Sequence, residues 1–253
     1  MKVQLVADVH GAYDELKERL DPGLPLLVLG DNLNLVDFRT FQGLVTEVLG
    51  QEDFQRILSA LSGGDKSAAV ALAREKFFED PENVAKARML VRREYLLMKE
   101  VLPADAIVMY GNVDYPDILA EVMGERYCDV EERMIAGVKF GFISGTPPYK
   151  PSIGLPGEMS EEEYAERLSK LGPVDVLCSH MPPDVEELCF DTVVKRSWGG
   201  SAALKEYIEK YSPDIHFFGH IHNPGQAEAR LNGTLMRNVG GFRYHRKVHI
   251  VEL

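Results

Sequence analysis

Cysteine and long apolar runs are both scarce in this sequence. Its 253 residues include only Cys128, Cys178 and Cys189, which are too few for a disulfide framework. No apolar run approaches the ~18 residues that a membrane-spanning helix requires. The N-terminal segment also lacks the basic start and apolar core of a signal peptide. We therefore expect a cytoplasmic protein that has no membrane partner.

Positive charge is also in short supply. The chain has 28 lysines and arginines against 40 aspartates and glutamates, which gives a net charge of −12 at pH 7. Nucleic-acid backbones and anionic membranes attract positive surfaces, so this balance argues against non-specific binding to either of them. It does not exclude a nucleotide as a substrate, because bound metal ions can supply positive charge locally.

Short apolar runs separated by helical patterns predict an α/β protein. The run at residues 2–7 is largely apolar and the run at residues 26–29 is wholly so, as in parallel strands that are covered on both faces. A length of 253 residues fits one large α/β domain or two small ones.

From about residue 38 to residue 101 the apolar spacing becomes helical. The Asp80-Pro81 step predicts a break between two helices, because proline is tolerated in the first turn of a helix and not in its interior. This block shows no obvious cluster of metal ligands, so we interpret it as an insertion or cap. A packing or oligomer surface is favoured over a substrate lid, and a homo-oligomer through this block is one predicted assembly.

Metal-binding side chains follow five of the strand-like runs. The clearest case is Gly219-His220-Ile221-His222, which comes directly after the apolar residues Phe217 and Phe218. Imidazole is the commonest protein ligand for transition metals. The carboxyl ends of strands in α/β sheets are where sites form, so side chains at these positions are expected to meet. They are Asp8 and His10, then Asp31, then Asn112, then His180, then His220 and His222.

The types of ligand in this set indicate a chemistry. Carboxylate, imidazole and amide oxygen, without thiolate, suit Mn²⁺, Fe²⁺ or Zn²⁺. Seven ligands are too many for one transition metal and fit two ions that share a bridge. Two ions about 3.5–4 Å apart are typical of enzymes that displace an oxygen at phosphorus. The sequence therefore predicts a two-metal site for a phosphate ester.

These blocks, in this order, resemble the calcineurin-like metallophosphoesterase superfamily. The family pattern is D-x-H, G-D, G-N-H-D/E, a histidine, and G-H-x-H. In this chain the corresponding blocks are Asp8-Val9-His10, Gly30-Asp31, Gly111-Asn112-Val113-Asp114, His180 and Gly219-His220-Ile221-His222. The match extends over nearly the whole chain.

The resemblance implies one domain over residues 1–253, a four-layer α/β/β/α sandwich of two mixed β-sheets flanked by helices, with residues 38–101 as a helical insertion. It also implies two divalent ions, with Mn²⁺ favoured over Fe, Zn or Ni. The implied ligands are Asp8, His10 and His222 for one ion, Asn112, His180 and His220 for the other, and Asp31 as the bridge. The residues predicted to be catalytic are Asp31, Asn112, Asp114 and His180. Asp114 would either orient its neighbours, including a metal-bound histidine, or cap its loop.

One position departs from the family pattern. Many members have a histidine after the asparagine, where it protonates the leaving group, but this chain has Val113. General acid catalysis is worth roughly 10²–10⁴ in rate, so its loss should matter most for poor leaving groups. We therefore predict a phosphoric ester hydrolase that acts through a metal-bridging hydroxide on activated or diester substrates, small molecules or nucleotides. The alternatives are a phosphomonoesterase or protein phosphatase, and a non-catalytic scaffold of the same fold.

Other polar residues are interpreted as structural first and functional second. The loop residues that could touch a substrate phosphate are Arg243, Tyr244, Tyr149 and Lys150. The histidines expected in a strand or at the surface are His216, His245 and His249.

Overall fold

The strands form two large sheets in a computed structural model that describes residues 2–37, 39–148, 152 and 154–253. Tyr149 and Lys150 lie outside the described residues. The strands within the described ranges are β1 (Lys2–Val6), β2 (Leu26–Leu29), β3 (Ile107–Met109), β4 (Val130–Ile135), β5 (Val138–Ile143), β6 (Val176–Ser179), β7 (Phe190–Asp191), β8 (Arg196–Ser197), β9 (Ile215–Phe218), β10 (Glu228–Leu231), β11 (Thr234–Asn238) and β12 (His249–Glu252).

Eight α-helices lie within the described ranges. They are α1 (Tyr13–Lys17), α2 (Leu44–Ser62), α3 (Lys66–Ala73), α4 (Pro81–Val101), α5 (Pro116–Met123), α6 (Glu161–Leu168), α7 (Ala202–Tyr211) and α8 (Phe242–His245). A π-helical turn covers Arg74–Glu79, and two 3₁₀ turns cover Gly124–Arg126 and Glu186–Leu188. None of the described helices combines the length and apolarity that crossing a bilayer requires.

The first sheet has the strand order β12-β1-β2-β3. Strands β1, β2 and β3 are parallel, and β12 pairs with β1 in the antiparallel direction. Side chains along β2 alternate between two cores: Leu27 and Leu29 face the second sheet, whereas Leu26 and Val28 face helices. All four are buried, which explains why this strand is a continuous apolar run.

The second sheet has the strand order β10-β11-β9-β6-β5-β4. Its four central strands are parallel, and an antiparallel hairpin closes each edge. The turn between β10 and β11 is the predicted Asn232-Gly233 pair, with φ angles of 49° and 91°. Positive φ at both central residues is the geometry that suits a two-residue hairpin, and glycine adopts it at no steric cost.

Four layers result from the packing of these elements. The sheets pack face to face around residues such as Leu5, Phe140 and Phe217. Helices α1, α2, α4 and α5 cover the outer face of the first sheet, and α6 and α7 cover that of the second. The predicted α/β/β/α sandwich of two mixed sheets is therefore confirmed.

The helical block divides at the predicted position. The Asp80 carboxylate accepts hydrogen bonds from the backbone of Glu82 and Asn83, and Pro81 is the first residue of α4. Asp80 therefore supplies the cap that the free backbone donors of α4 need. On its inner face α4 buries residues such as Val91 and Met98 in the core beneath the first sheet, so this helix belongs to the helical layer.

The outer face of α4 presents Met89, Leu96 and Leu97, which are 63%, 48% and 47% exposed. These residues lie within the block of residues 38–101, for which an insertion and an oligomer surface are predicted. Both the insertion and the oligomer stay predictions.

A buried glutamine in β1 fixes the turn that leads into β2. The Gln4 amide donates to the carbonyls of Asp21 and Leu24 at 2.8 and 2.9 Å and accepts from the Asp21 N–H at 3.0 Å. Gln4→Leu keeps the size of the side chain but removes these partners. Because an unpaired buried polar group costs about 1–3 kcal/mol, we expect the free energy of unfolding in urea to fall by about 2 kcal/mol. Gln55→Leu, on an exposed position of α2, should change it by less than about 0.5 kcal/mol. Equal losses in the two variants would contradict this interpretation.

Candidate metal centre

All seven predicted ligands meet at the edge where the two sheets lie against each other. Those from the first sheet follow β1, β2 and β3, and those from the second follow β6 and β9. Two groups of side chains have ligand atoms that lie within 4.8 Å of one another. The first group is Asp8, His10, Asp31 and His222, and the second is Asp31, His180 and His220. Asn112 belongs with the second group, because its Oδ1 lies 3.1 Å from His220 Nδ1.

Four of these residues have left-handed backbone conformations. The φ angles are 53° at Asp8, 44° at His10, 52° at Asp31 and 67° at His220. A non-glycine residue in this region costs about 1–3 kcal/mol and persists only where its surroundings enforce it. Backbone bonds supply that enforcement, since the Asp8 N–H donates to Gly30 and the His10 N–H donates to Asp31, both at 3.0 Å. The sharp turns that result point successive ligands inward.

Hydrogen bonds to the backbone fix which ring nitrogen of two histidines faces the site. His10 Nδ1 lies 2.9 Å from the Leu33 carbonyl, and His180 Nδ1 lies 2.8 Å from the Leu29 carbonyl. A carbonyl can only accept, so Nδ1 carries a proton in both rings, and Nε2 is the nitrogen left to bind a metal. The His180 Nε2 lies 3.5 Å from the carboxylate of Asp31. This arrangement is the usual outer support of a metal-bound imidazole, so the donor set fits a divalent cation.

The electrostatics of the site are dominated by two buried carboxylates. Burial disfavours their charged forms, but the neighbouring His180 keeps the pKa of Asp31 below its usual range, and His222 does the same for Asp8. Burial likewise opposes protonation of His180, yet the charge of Asp31 raises the pKa of His180 to about 9. Burial and the adjacent His180 lower the pKa of His220 to about 4. The site therefore has a strong preference for positive charge.

Asp114 lies behind the ligands and holds two of their loops. Its carboxylate accepts hydrogen bonds from the backbone of Gly111 at 2.9 Å and of Asn32 at 3.1 Å. The Tyr95 hydroxyl of α4 donates to the same carboxylate at 3.0 Å and accepts from the Tyr115 N–H at 2.8 Å. Burial, reinforced by the charge of Asp31, raises the pKa of Asp114 to about 6. Of its two predicted roles, these contacts correspond to loop capping.

Two glycines let backbone approach the ligands closely. A Cβ at Gly111 would lie 2.6 Å from His180 Nε2 and would collide with Asp31 Oδ1. A Cβ at Gly219 would lie 2.9 Å from Asp8 Oδ2. The glycines of the G-N-x-D and G-H-x-H blocks are therefore required by the space that the ligands occupy.

A cavity of about 710 Å³ opens beside the ligands. Arg243 and Tyr244 line it, and the Arg243 side chain is only 25% exposed, so it is not the free loop arginine that the sequence favours. Tyr244 packs on the ring of His222, with centroids 5.5 Å apart, and Arg39 stacks on Tyr244 at 4.3 Å. Two arginines thus form part of the wall next to the ligands.

The remaining histidines do not join the ligand groups. His216 is buried in β9, and its Nε2 donates to Ser179 Oγ at 2.7 Å, while burial lowers its pKa to about 3. His245 Nε2 lies 3.0 Å from the His222 carbonyl and so supports the loop that carries a ligand. His249 lies in β12.

The family model described as calcineurin-like phosphoesterase matches residues 1–224. The chain belongs to this family. It is accordingly a phosphoric ester hydrolase, and the family implies divalent metal ions, for which the two ligand groups provide sites. A search of curated proteins gave no match.

Solved structures with a similar fold cover almost the whole chain. TT1561 from Thermus thermophilus is 12% identical, with 99% of this chain and 98% of that one covered and a TM-score of 0.56. The phosphopantetheinyl hydrolase of Mycobacterium tuberculosis is 13% identical, with 99% and 95% covered and a TM-score of 0.49. At 12% identity the similarity to TT1561 shows the fold alone.

Two features of the site, Tyr95 and the hairpin of β7 and β8, belong to none of the motifs in the sequence. Tyr95 belongs to the apolar stripe of α4, where a tyrosine with a polar tip is the only local signal of a buried hydrogen bond. The short hairpin of β7 and β8 contributes Val193 and Val194 to the cavity wall, and its strands are too short to show a periodic pattern.

The close approach at Gly111 can be tested by one added methyl group. Gly111→Ala should displace Asp31 or His180, so we expect the affinity of the group Asp31, His180 and His220 for a divalent ion to fall by about 10-fold to 100-fold, as disturbing the support of a metal ligand typically does. Metal content after dialysis, measured by elemental analysis, reports this loss. Gly63→Ala, at the end of α2 with a φ of −71°, should keep the full metal content. Normal metal content in Gly111→Ala would overturn the argument.

Proposed function

We propose that this phosphoesterase uses two divalent ions and that phosphodiesters are its favoured substrates. The observation that carries the proposal is that two groups of ligands share Asp31. Asp31 Oδ1 lies 3.5 Å from His180 Nε2 and Asp31 Oδ2 lies 3.9 Å from His10 Nε2, so Asp31 could belong to the ligands of both ions. Dinuclear sites of this kind suit displacement of an oxygen at phosphorus.

The types of ligand indicate which metals the site could bind and what chemistry those metals would supply. Five of the seven are buried or half-buried imidazoles or amides and two are carboxylates, a set that suits Mn²⁺, Fe²⁺ or Zn²⁺. The family resemblance places Mn²⁺ ahead of Fe, Zn and Ni. When bound, the ions would acidify a water molecule and neutralise charge on the phosphoryl oxygens. Asp8, His10 and His222 would hold one ion and Asn112, His180 and His220 the other.

The chain's own residues orient the bridge and attract an anionic substrate. The Val113 N–H donates to Asp31 Oδ1 at 3.1 Å and keeps that carboxylate in position. The protein carries a net charge of −12, so an anionic ester needs local positive charge to enter. Arg39 and Arg243 lie in the cavity wall, where Asp37 offsets part of the charge of Arg243 from 3.7 Å. The remaining positive charge suits a nucleotide or another small phosphate ester.

The preference for diesters rests on the residue that follows Asn112. Val113 lines the cavity, where its side chain cannot protonate a leaving group. A phosphomonoester or phosphoprotein substrate with a poor alkoxide leaving group would suffer most from this loss. Activated esters and diesters are therefore favoured over the monoesterase and protein phosphatase alternatives.

Replacing the bridge tests the dinuclear assignment. We expect wild-type protein with Mn²⁺ to bind about two ions and to hydrolyse bis(p-nitrophenyl) phosphate, and Asp31→Asn to lower kcat/KM by more than about 100-fold. The assay measures p-nitrophenolate release beside metal content. Asp14→Asn, on an exposed position of α1, should retain both. Undiminished turnover by Asp31→Asn would disprove the assignment, as would a wild-type protein inactive with every divalent ion tried.

Restoring a proton donor tests the role of Val113. Val113→His should raise kcat/KM by about tenfold or more for diesters with an alkyl leaving group, and by less than about threefold for p-nitrophenyl esters, which need no acid. Rates for a series of leaving groups measure the difference. A uniform gain across the series would refute the explanation.

We also propose a cytoplasmic location and an oligomer through residues 38–101. The three cysteines are free and buried, which suits a reducing compartment. The exposed Met89, Leu96 and Leu97 of α4 offer an apolar contact surface. The acidic net charge supports the absence of non-specific nucleic-acid binding.

A further inference from the structure

The cavity beside the metal ligands is far larger than a phosphate group needs. Its volume of about 710 Å³ falls within the range of roughly 300–1,000 Å³ that holds a drug-sized ligand. His10, Asp31 and Asn112 belong to the wall formed by the metal ligands. A phosphate placed at those ligands would therefore leave most of the cavity to the remainder of the substrate.

The short hairpin β7–β8 forms an apolar part of this wall. Val193 and Val194 are 56% and 53% exposed, and both line the cavity. Asp191 fixes their position, because its Oδ1 accepts from the N–H groups of Val193 and Val194 at 2.8 and 3.0 Å. Its Oδ2 accepts from the N–H of Asn223, the residue after His222, at 3.2 Å. The exposed valines are thus anchored to the segment that carries a metal ligand.

The helical block contributes a second apolar part. The π-helical turn Arg74–Glu79 directs Phe77 into the core, where it is 1% exposed, and Phe78 into the cavity wall. The two rings meet edge to face with centroids 4.9 Å apart, so the buried ring supports the one in the wall. Turns of this type occur frequently at functional sites. Val45 of α2 lines the same region.

We infer that this cavity selects phosphoesters that carry a bulky apolar group, which packs against Val193, Val194 and Phe78 while the phosphate lies at the metal ligands. The inference rests on the proposed function, because that function assigns the phosphate to the ligands. Apolar side chains scattered singly over a surface need no explanation. These three come from two separate elements and line one concave space that contains the ligands.

A series of diesters with a constant leaving group tests the selection. In p-nitrophenyl diesters whose second arm is methyl, butyl or phenyl, the leaving group stays the same and the second arm changes. We expect kcat/KM to rise about tenfold or more from the methyl to the butyl or phenyl ester, because each methylene group in an apolar pocket adds substantial binding. The butyl and phenyl arms distinguish a flexible chain from a flat ring. Equal values for all three esters would overturn the inference and leave the proposed function intact.

Variants of the hairpin locate the effect. The double variant Val193→Ser, Val194→Ser should reduce the ratio of kcat/KM for the butyl or phenyl ester to kcat/KM for the methyl ester by about fivefold or more. Ile250→Ser, which changes an aliphatic residue 56% exposed in β12, is the matched control and should keep the wild-type preference. A hairpin variant that retains the full preference would refute the assignment to these valines.

A binding measurement separates this inference from the proposed activity. Trp198 is the only tryptophan of the chain and lines the cavity, so its fluorescence reports occupancy. Phenylphosphonate, which has no ester bond to hydrolyse, should alter the emission of Mn²⁺-loaded protein at about tenfold lower concentration than methylphosphonate. This difference without diester hydrolysis would support the apolar selection and refute the proposed activity. Identical titrations with the two phosphonates would refute the selection itself.

Discussion

The structure depends on keeping two negative charges, Asp8 and Asp31, buried where its two sheets meet. A buried carboxylate is costly unless it is paired and hydrogen-bonded. Backbone donors meet part of this need, since the His220 N–H donates to Asp8 and the Val113 N–H donates to Asp31. The rest falls to the imidazoles and to the cations that they and the carboxylates can bind. Positioning of the histidines, the glycines and the left-handed turns follows from this requirement.

This arrangement requires unfavourable backbone conformations at the strand ends. Left-handed residues at the strand ends are unfavourable by themselves, and the surrounding hydrogen bonds hold them in place. Asp114 adds a further constraint, because its carboxylate gathers the loops that follow β2 and β3 and is itself held by Tyr95 of α4. A helix from the block between Asp31 and Asn112 thus stabilises the loop that carries Asn112. Burial and strain are concentrated at the site, and regular layers surround it.

The meeting of the seven predicted ligands could be foreseen because each one lies shortly after an apolar strand, so that one short string carries both the element and the side chain. The Asp80-Pro81 break and the Asn232-Gly233 turn could also be predicted, because the residues at each position determine the local backbone conformation. Tyr95 was not predictable, because its partner Asp114 is brought to it only by the packing of α4. The place of Phe78 and Val194 in the cavity wall could not be predicted for a related reason. Phe78 lies in a π-helical turn and Val194 in the turn between two strands of two residues each. Neither segment has a periodic pattern, and the role of each depends on which cavity it borders.

The division of the ligands between the sheets links ion binding to the integrity of the whole sandwich. His10 and His222 lie 212 positions apart in the chain, with their Nε2 atoms 3.1 Å apart. One follows a strand of the first sheet and the other a strand of the second. An ion that needs both can bind only when the sheets are docked, so occupancy at 100 times the dissociation constant adds about 2.7 kcal/mol to the free energy of unfolding. A metal bound there would in this sense be a cross-link between the halves of the fold, in a chain whose three cysteines are free.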